Sequence, residues 1–160
     1  MLVMIIINFS RAKVSASRIN EVLDVESSIT DKEDAKKINK FNIEFKDVYF
    51  KYNKDGDYVL KGISFKAEEG EKIGIIGATG SGKSTLISLI PRLYDTSSGT
   101  VMIGNEDVKN LKINELRSLI GVVLQDTTLF SGSIEDNLKF GKEDATEEMM
   151  ISSVKDAQAF

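Results

Sequence analysis

The sequence predicts an α/β fold, and three observations predict it. A glycine-rich stretch, Gly77-Ala78-Thr79-Gly80-Ser81-Gly82-Lys83-Ser84, stands between a short apolar, β-branched run and a run with helical spacing. Ahead of it, two segments alternate apolar and polar residues on either side of a turn-forming cluster. Helical periodicity occupies residues 6–23 and returns after Ser133. At 160 residues, 41% hydrophobic and 29% charged, the chain is large enough for one globular domain with a core.

Taken in order, residues 1–9 are apolar but far short of the roughly 20 residues that span a bilayer. Arg11, Lys13 and Arg18 follow this run instead of preceding it, which is the order of a cytoplasmic exit from a membrane and not of a secretory signal. Equally open is an amphipathic helix docked on its own domain, because Ile6, Phe9, Ala16, Ile19 and Leu23 fall near helical spacing. Residues 27–40 are polar, charged and without period, and read as a linker. The domain proper begins near Phe41. Phe41-Asn42-Ile43-Glu44-Phe45 and Ile63-Ser64-Phe65-Lys66 alternate around the turn residues Asn53 to Asp57, as an antiparallel strand pair would.

Glu71-Lys72-Ile73-Gly74-Ile75-Ile76 has the composition of a buried parallel strand, and Thr85 to Ile90 continues as a helix. Asp95 to Gly99 is a turn cluster leading to a strand at Thr100-Val101-Met102-Ile103, which closes on the tight turn Gly104-Asn105. Lys112 to Ile120 is helix-like, and Gly121-Val122-Val123-Leu124 is a further buried strand ending on Gln125. Thr146, followed by Glu147 and Glu148, starts a final helix.

The loop carries the chemistry. Its pattern is G-x-x-x-x-G-K-[ST], and Gly77, Gly80 and Gly82 let backbone N–H groups approach phosphates that a Cβ would crowd. Lys83 supplies positive charge to the outer phosphates, Ser84 a hydroxyl to the accompanying magnesium, and the helix that starts here aims its positive end at the same anion. The motif therefore predicts an ATP or GTP site. Zero Cys excludes disulfides, thiolate metal sites and a cysteine nucleophile, and zero His removes the commonest general base. A net charge of -4 with no basic stripe argues against a nucleic-acid surface.

Three stretches resemble the nucleotide-binding domain of ABC transporters of the exporter type, in which membrane and ATPase domains share a chain. They are the phosphate loop continued to Thr85, with Val59 to Phe65 before it and Pro91-Arg92-Leu93-Tyr94-Asp95 after it; Ile120 to Asp126 with Leu129 to Ile134 and Asn137; and Val48-Tyr49-Phe50-Lys51-Tyr52. The resemblance implies a P-loop NTPase-type core with an antiparallel β subdomain at its start, broken off before the end of the helical subdomain, and an N-terminal helix. It implies an ATP-binding set of Tyr52, Gly77, Ala78, Thr79, Gly80, Ser81, Gly82, Lys83, Ser84 and Thr85. Tyr52 would stack on adenine, Ser84 and Gln125 would reach magnesium, and Lys83 with Gln125 would be catalytic in a completed site. Leu129 to Asn137 resembles the surface on which intracellular loops of the membrane domain dock.

The same resemblance divides the chain into residues 1–26, the end of a last transmembrane helix and its connecting helix; residues 27–40, a linker; and residues 41–160, a partial ATP-binding domain. The L-S-G-G-Q signature, the strand ending in the magnesium-binding Asp and catalytic Glu, and the switch His do not occur. The expected activity is transport-coupled ATP hydrolysis at the cytoplasmic face of the cell membrane. Its expected partners are a second nucleotide-binding domain supplying the signature and the transmembrane domain of an exporter, with no nucleic acid. For the chain as given, the expectation is nucleotide binding with negligible hydrolysis, buried-type strands with an open apolar edge, and poorly cooperative unfolding. The alternatives are a stand-alone nucleotide-binding or regulatory module and a gene remnant without function.

Overall fold

A computed structural model describes residues 2–32, 36, 38, 40–126 and 128–159, Leu2 by its backbone alone. The chain forms two compact units, one up to Gly121 and one from Val122.

The first unit opens with helix α1, Leu2–Leu23. Ile6, Phe9, Ile19 and Leu23 are exposed to 63%, 74%, 58% and 74%, so this helix is not docked through the stripe that its spacing defines. No described helix is long and apolar enough to cross a membrane. The polar stretch after α1 is tied to the unit at several points. Asp31 accepts the Ile113 N–H at 2.7 Å, Lys32 Nζ donates to Asn110 at 2.6 Å, and Lys36 pairs with Glu106 at 2.9 Å while bridging to Leu111.

Four strands build one antiparallel sheet: β1 (Ile43–Phe50), β2 (Leu60–Ala67), β3 (Ser98–Ile103) and β4 (Glu106–Asp107), in the order β2-β1-β3-β4. Gly104 and Asn105 both take positive φ, 61° and 69°, and close β3 on β4 as the two-residue turn that right-twisted strands require. β1 faces Phe65 and Ile63 of β2 on one edge and Val101 and Ile103 of β3 on the other, and carries Phe45, Val48 and Phe50 into the core.

Those three positions break strict alternation, since Phe45 and Val48 are three apart and would point to opposite faces of a regular strand. A bulge at Asp47, with φ 46° and its N–H donating to Ser64 Oγ at 2.9 Å, inserts the extra residue that brings both inward. Gly99 sits against this bulge with φ 74°; a Cβ there would overlap the Asp47 carbonyl.

Helix α2, Lys83–Leu89, packs Leu86 and Leu89 on the same core. It ends in a Schellman motif: the Leu93 N–H reaches the Ser88 carbonyl at 3.1 Å and the Arg92 N–H the Leu89 carbonyl at 3.2 Å, with Arg92 in the left-handed position at φ 52°. Arg92 is buried and paired with Asp95 at 2.9 Å. Arg117, from helix α3 (Ile113–Ser118), donates to the Pro91 and Arg92 carbonyls at 3.1 and 2.9 Å, satisfying the carbonyls that the helix end leaves over.

Two expected strands do not form. Residues 71–76 and 121–124 carry no ladder, and Ile73, Ile75, Ile76, Val123 and Leu124 are exposed to 46%, 42%, 100%, 93% and 67%. A parallel strand needs a neighbour to take its backbone groups, and the described sheet contains neither run.

The second unit holds α4 (Ile134–Lys139) and α5 (Glu147–Asp156). The helical pattern after Ser133 is thus interrupted across residues 140–146. Each helix starts on a cap. Ser133 Oγ accepts the Asp136 N–H at 3.1 Å while the Asp136 carboxylate accepts from Ser133, a reciprocal capping box, and Thr146 Oγ1 accepts the Met149 N–H at 3.4 Å. Those bonds from the Ser133 backbone and side chain hold the Asp136 carboxyl below the usual carboxylate range.

Candidate functional site

The phosphate loop leaves residue 76 and reaches α2 through two left-handed glycines, Gly80 at φ 81° and Gly82 at φ 89°. The space supports these identities. At Gly82 a Cβ would stand 2.8 Å from Leu60 Cδ2 and 3.2 Å from the Val59 carbonyl, and at Gly77 it would stand 2.5 Å from Ser81 Oγ. A side chain at Gly82 would strain the left-handed backbone against Val59, and one at Gly77 would displace the Ser81 hydroxyl. Gly82 is the residue before α2, and its carbonyl accepts the Leu86 N–H at 2.8 Å, so the helix starts directly from the loop.

Lys83 bends back over this loop. Its Nζ donates to the carbonyls of Gly77 and Ala78 at 2.8 and 2.9 Å, which centres an ammonium on the concave side of residues 77–83. A second brace is the Ser81 N–H on the Ala78 carbonyl at 3.2 Å. Thr79, Gly80, Ser81 and Ser84 are exposed, so the Ser84 hydroxyl is open to a ligand. Beside the loop lies a groove of about 320 Å³, lined by Tyr52, Val59, Gly80, Gly82, Lys83, Ser84 and Thr85.

Tyr52 joins this groove from the end of β1. Its hydroxyl and the buried Thr85 hydroxyl share a hydrogen bond of 2.8 Å, and its ring stands nearly perpendicular to Phe50 and to Tyr94, with centroids 4.9 and 5.2 Å away. The ring remains 53% exposed, so an aromatic surface is offered next to the cationic loop. The structure places Tyr52 in one groove with Gly80, Gly82, Lys83, Ser84 and Thr85. Sequence reasoning missed Val59 and Tyr94 as neighbours of the site. Val59 precedes β2 without a polar group to mark it, and the meeting of Tyr94 with Tyr52 depends on the left-handed turn at Arg92, for which an arginine gives no signal.

Gln125 belongs to the second unit. It was expected at the end of a buried strand, but residues 121–124 are not a strand, and Gln125 occupies an exposed bend. In that unit Asn137 clasps the backbone of Phe130, accepting its N–H at 2.8 Å and donating to its carbonyl at 3.0 Å, while the Phe130 and Phe140 rings stack at 4.3 Å. Leu129 and Phe130 stay exposed to 82% and 53%, which makes them surface and not core.

As a receptor for magnesium the residues fit in part by chemistry. Among the described residues no group of three or more carboxylates could hold a cation by itself. Magnesium, however, keeps several waters and binds through few protein oxygens together with phosphates, and the open Ser84 hydroxyl beside a glycine cradle suits that mode.

Comparison with known proteins gives a consistent result. Residues 60–159 match the family described as ABC transporter. The uncharacterized ABC transporter ATP-binding protein YfiB of Bacillus subtilis (strain 168) is 42% identical over 154 residues, which cover 96% of this chain and 27% of that protein. The beta-(1-->2)glucan export ATP-binding/permease protein NdvA of Rhodopseudomonas palustris (strain BisB18) is 44% identical over 151 residues, 91% of this chain and 25% of that protein. Among solved structures, a bacterial Atm1-family ABC exporter with ATP bound is similar at a TM-score of 0.84 and 28% identity, over 93% of this chain and 26% of that one. The chain spans about a quarter of the length of the curated relatives it matches.

Proposed function

The chain belongs to the ABC transporter family, and from that membership we propose that it is the ATP-binding portion of an exporter, taking up magnesium-ATP on the 77–85 loop. The observation that carries this reading is the loop itself: glycines where a Cβ would collide, and an ammonium held on the loop's concave side by two carbonyls. Lys83 exchanges those carbonyl contacts for the outer phosphates, a stronger, charge-assisted pairing. Backbone N–H groups of residues 78–84 share the remaining phosphate charge. Tyr52 offers its ring to adenine and Ser84 its hydroxyl to magnesium. When bound, magnesium neutralises the outer phosphate oxygens.

Hydrolysis by this chain alone is negligible in this reading. With zero His and no L-S-G-G-Q motif in the sequence, the groups that stabilise transition-state charge and activate water come from elsewhere, the signature from a second nucleotide-binding domain. The helix α1, exposed along residues 3–23, with Arg11, Lys13 and Arg18, and the exposed Leu129 and Phe130, support a place beneath a transmembrane domain at the cytoplasmic face of a membrane.

Calorimetric titration of the chain with magnesium-ATP tests the reading. Saturable binding is expected, weakened about 10- to 100-fold by Lys83→Ala, the range that losing one charged hydrogen-bonding partner commands. Phosphate release should stay at background in both proteins. Binding indifferent to Lys83→Ala overturns the site, and robust Lys83-dependent turnover overturns the claim about hydrolysis.

A further inference from the structure

Tyr52 is held more firmly than an exposed stacking residue at a strand end would be by default. Its hydroxyl is fixed on Thr85 at 2.8 Å, and its ring meets Phe50 at 85° and Tyr94 at 87°. A hydroxyl bond pins the far end of the ring, and two edge contacts set its plane. Of the two flanking rings, Phe50 is buried core at 2% exposure, whereas Tyr94 is 43% exposed and contributes to that core mainly by touching Phe50 at 5.5 Å.

The position of Tyr94 is built by its neighbours. The left-handed Arg92 turns the chain back at the end of α2, and the Arg92–Asp95 ion pair at 2.9 Å brackets Leu93 and Tyr94 between its two ends. On the opposite side, Ser97 holds the strand end that precedes Tyr52: its N–H donates to the Tyr49 carbonyl at 2.9 Å and its Oγ accepts the Lys51 N–H at 3.1 Å. Both aromatic residues are therefore carried by the same 92–97 segment, one directly and one through β1. A turn stabilised at this many points, presenting a half-exposed tyrosine to the edge of another, works as a mount.

We propose that Tyr94 is a positioning residue for the base-binding face of Tyr52, fixing that ring before nucleotide arrives so that stacking costs less ordering on binding. This rests on the reading above that Tyr52 stacks on a purine base. Preorganisation of this kind raises affinity without adding a contact to the ligand. It acts chiefly on the base-dependent part of binding, because the ring contacts of Tyr94 are with Phe50 and Tyr52.

The test compares magnesium-ATP with inorganic tripolyphosphate, which has the phosphate chain and no base, on the full 160-residue chain. In Tyr94→Leu, affinity for ATP is expected to fall about three- to ten-fold, the worth of one aromatic pair, with affinity for tripolyphosphate unchanged within about two-fold. Tyr94→Phe, which keeps the ring, should restore ATP binding. If Tyr94→Leu does not fold, Tyr94→Met, flexible and of similar bulk, takes its place. Equal weakening of both ligands, or failure of Tyr94→Phe to restore, marks a merely structural role and overturns the proposal. Tyr52→Leu separates the two readings: an ATP preference lost there but intact in Tyr94→Leu overturns the role of Tyr94 and leaves the stacking role standing. A preference indifferent to Tyr52→Leu, or no ATP binding by the unsubstituted chain, overturns both.

Discussion

Val101 and Ile103 in β3 are exposed to 1% and 5%, while Ile73, Ile75 and Ile76 are exposed to 46%, 42% and 100%, although both segments are short, β-branched runs with the composition of buried strands. β3 has β1 on one side and β4 on the other, so its backbone groups are paired, and Val101 and Ile103 belong to the same buried core as Phe45, Leu86 and Leu89. The 71–76 run has no ladder. Composition confers only the capacity to be a strand; a neighbour makes it one. The phosphate loop, which follows directly on the uncovered run, nevertheless keeps its shape, because its own carbonyls, Lys83 and α2 determine it.

The largest effect that sharpens this contrast is a truncation in each region. Phe45 is 1% exposed and stacked on Phe65 at 4.7 Å, and Phe45→Ala should cost about 3–5 kcal/mol through lost burial and an unfilled cavity. Ile76→Ala removes a side chain that is 100% exposed, and should change stability by no more than about 0.5 kcal/mol. Urea unfolding followed by circular dichroism compares them. Equal losses would break the contrast, by requiring that Ile76 is covered in solution.

A smaller effect separates two glycines. Gly99 has φ 74° and lies on the Asp47 bulge with no room for a Cβ, so Gly99→Ala must shift the bulge that brings Phe45 and Val48 to one face; a loss of about 2–3 kcal/mol is expected. Gly74, within the unladdered run, has nothing within 4 Å of a Cβ, and Gly74→Ala should be neutral or stabilising by a few tenths, about 0.4 kcal/mol, by restricting the unfolded chain. A destabilising Gly74→Ala would show that the run is packed.

How much of this was legible in the sequence follows the same division. Local signals held: the phosphate loop opens onto α2, Gly104-Asn105 makes its turn, Thr146 caps α5, and the alternating segments pair antiparallel. Each depends on residues close together in the chain. What failed was the pair of buried parallel strands at 71–76 and 121–124, since a parallel neighbour is supplied from far away in sequence and nothing in the run itself reports whether it is there. With the second went the strand-end placement of Gln125. The bulge at Asp47 had a faint signal, the three-residue spacing of Phe45 and Val48, which alternation counted only to Phe45 could not register. The aromatic corner of Phe50, Tyr52 and Tyr94 had none, because it is assembled by a left-handed turn at an arginine.

The smallest expected effect contrasts burial with capping as ways of holding an element. β3 is held by what covers it, whereas α4 has no buried residue and starts on the Ser133–Asp136 box. Because the Ser133 bonds depress the Asp136 carboxyl, their stabilisation is present above the ordinary carboxylate range and is lost as pH falls through the lowered value. Acidification from neutrality to about pH 5 should therefore leave α4 intact, and fraying should begin only below about pH 4, near and under the unperturbed aspartate value. Ser133→Ala removes the side-chain bonds of the cap but keeps the backbone N–H of residue 133 on Asp136, and should weaken α4 by about 1 kcal/mol at neutral pH. It should raise the Asp136 carboxyl only part of the way, because the backbone N–H of residue 133, the larger cause of its depression, remains; Asp136→Asn removes the titrating group, and there the acid-dependent part of fraying should disappear. Chemical shifts of the Ser133 and Asp136 amides across an acid titration read both quantities in one experiment. Fraying of α4 that sets in above pH 5, or an acid response that survives Asp136→Asn, would mean that some group other than the cap governs this helix, and the contrast with β3 would have to be drawn on different grounds.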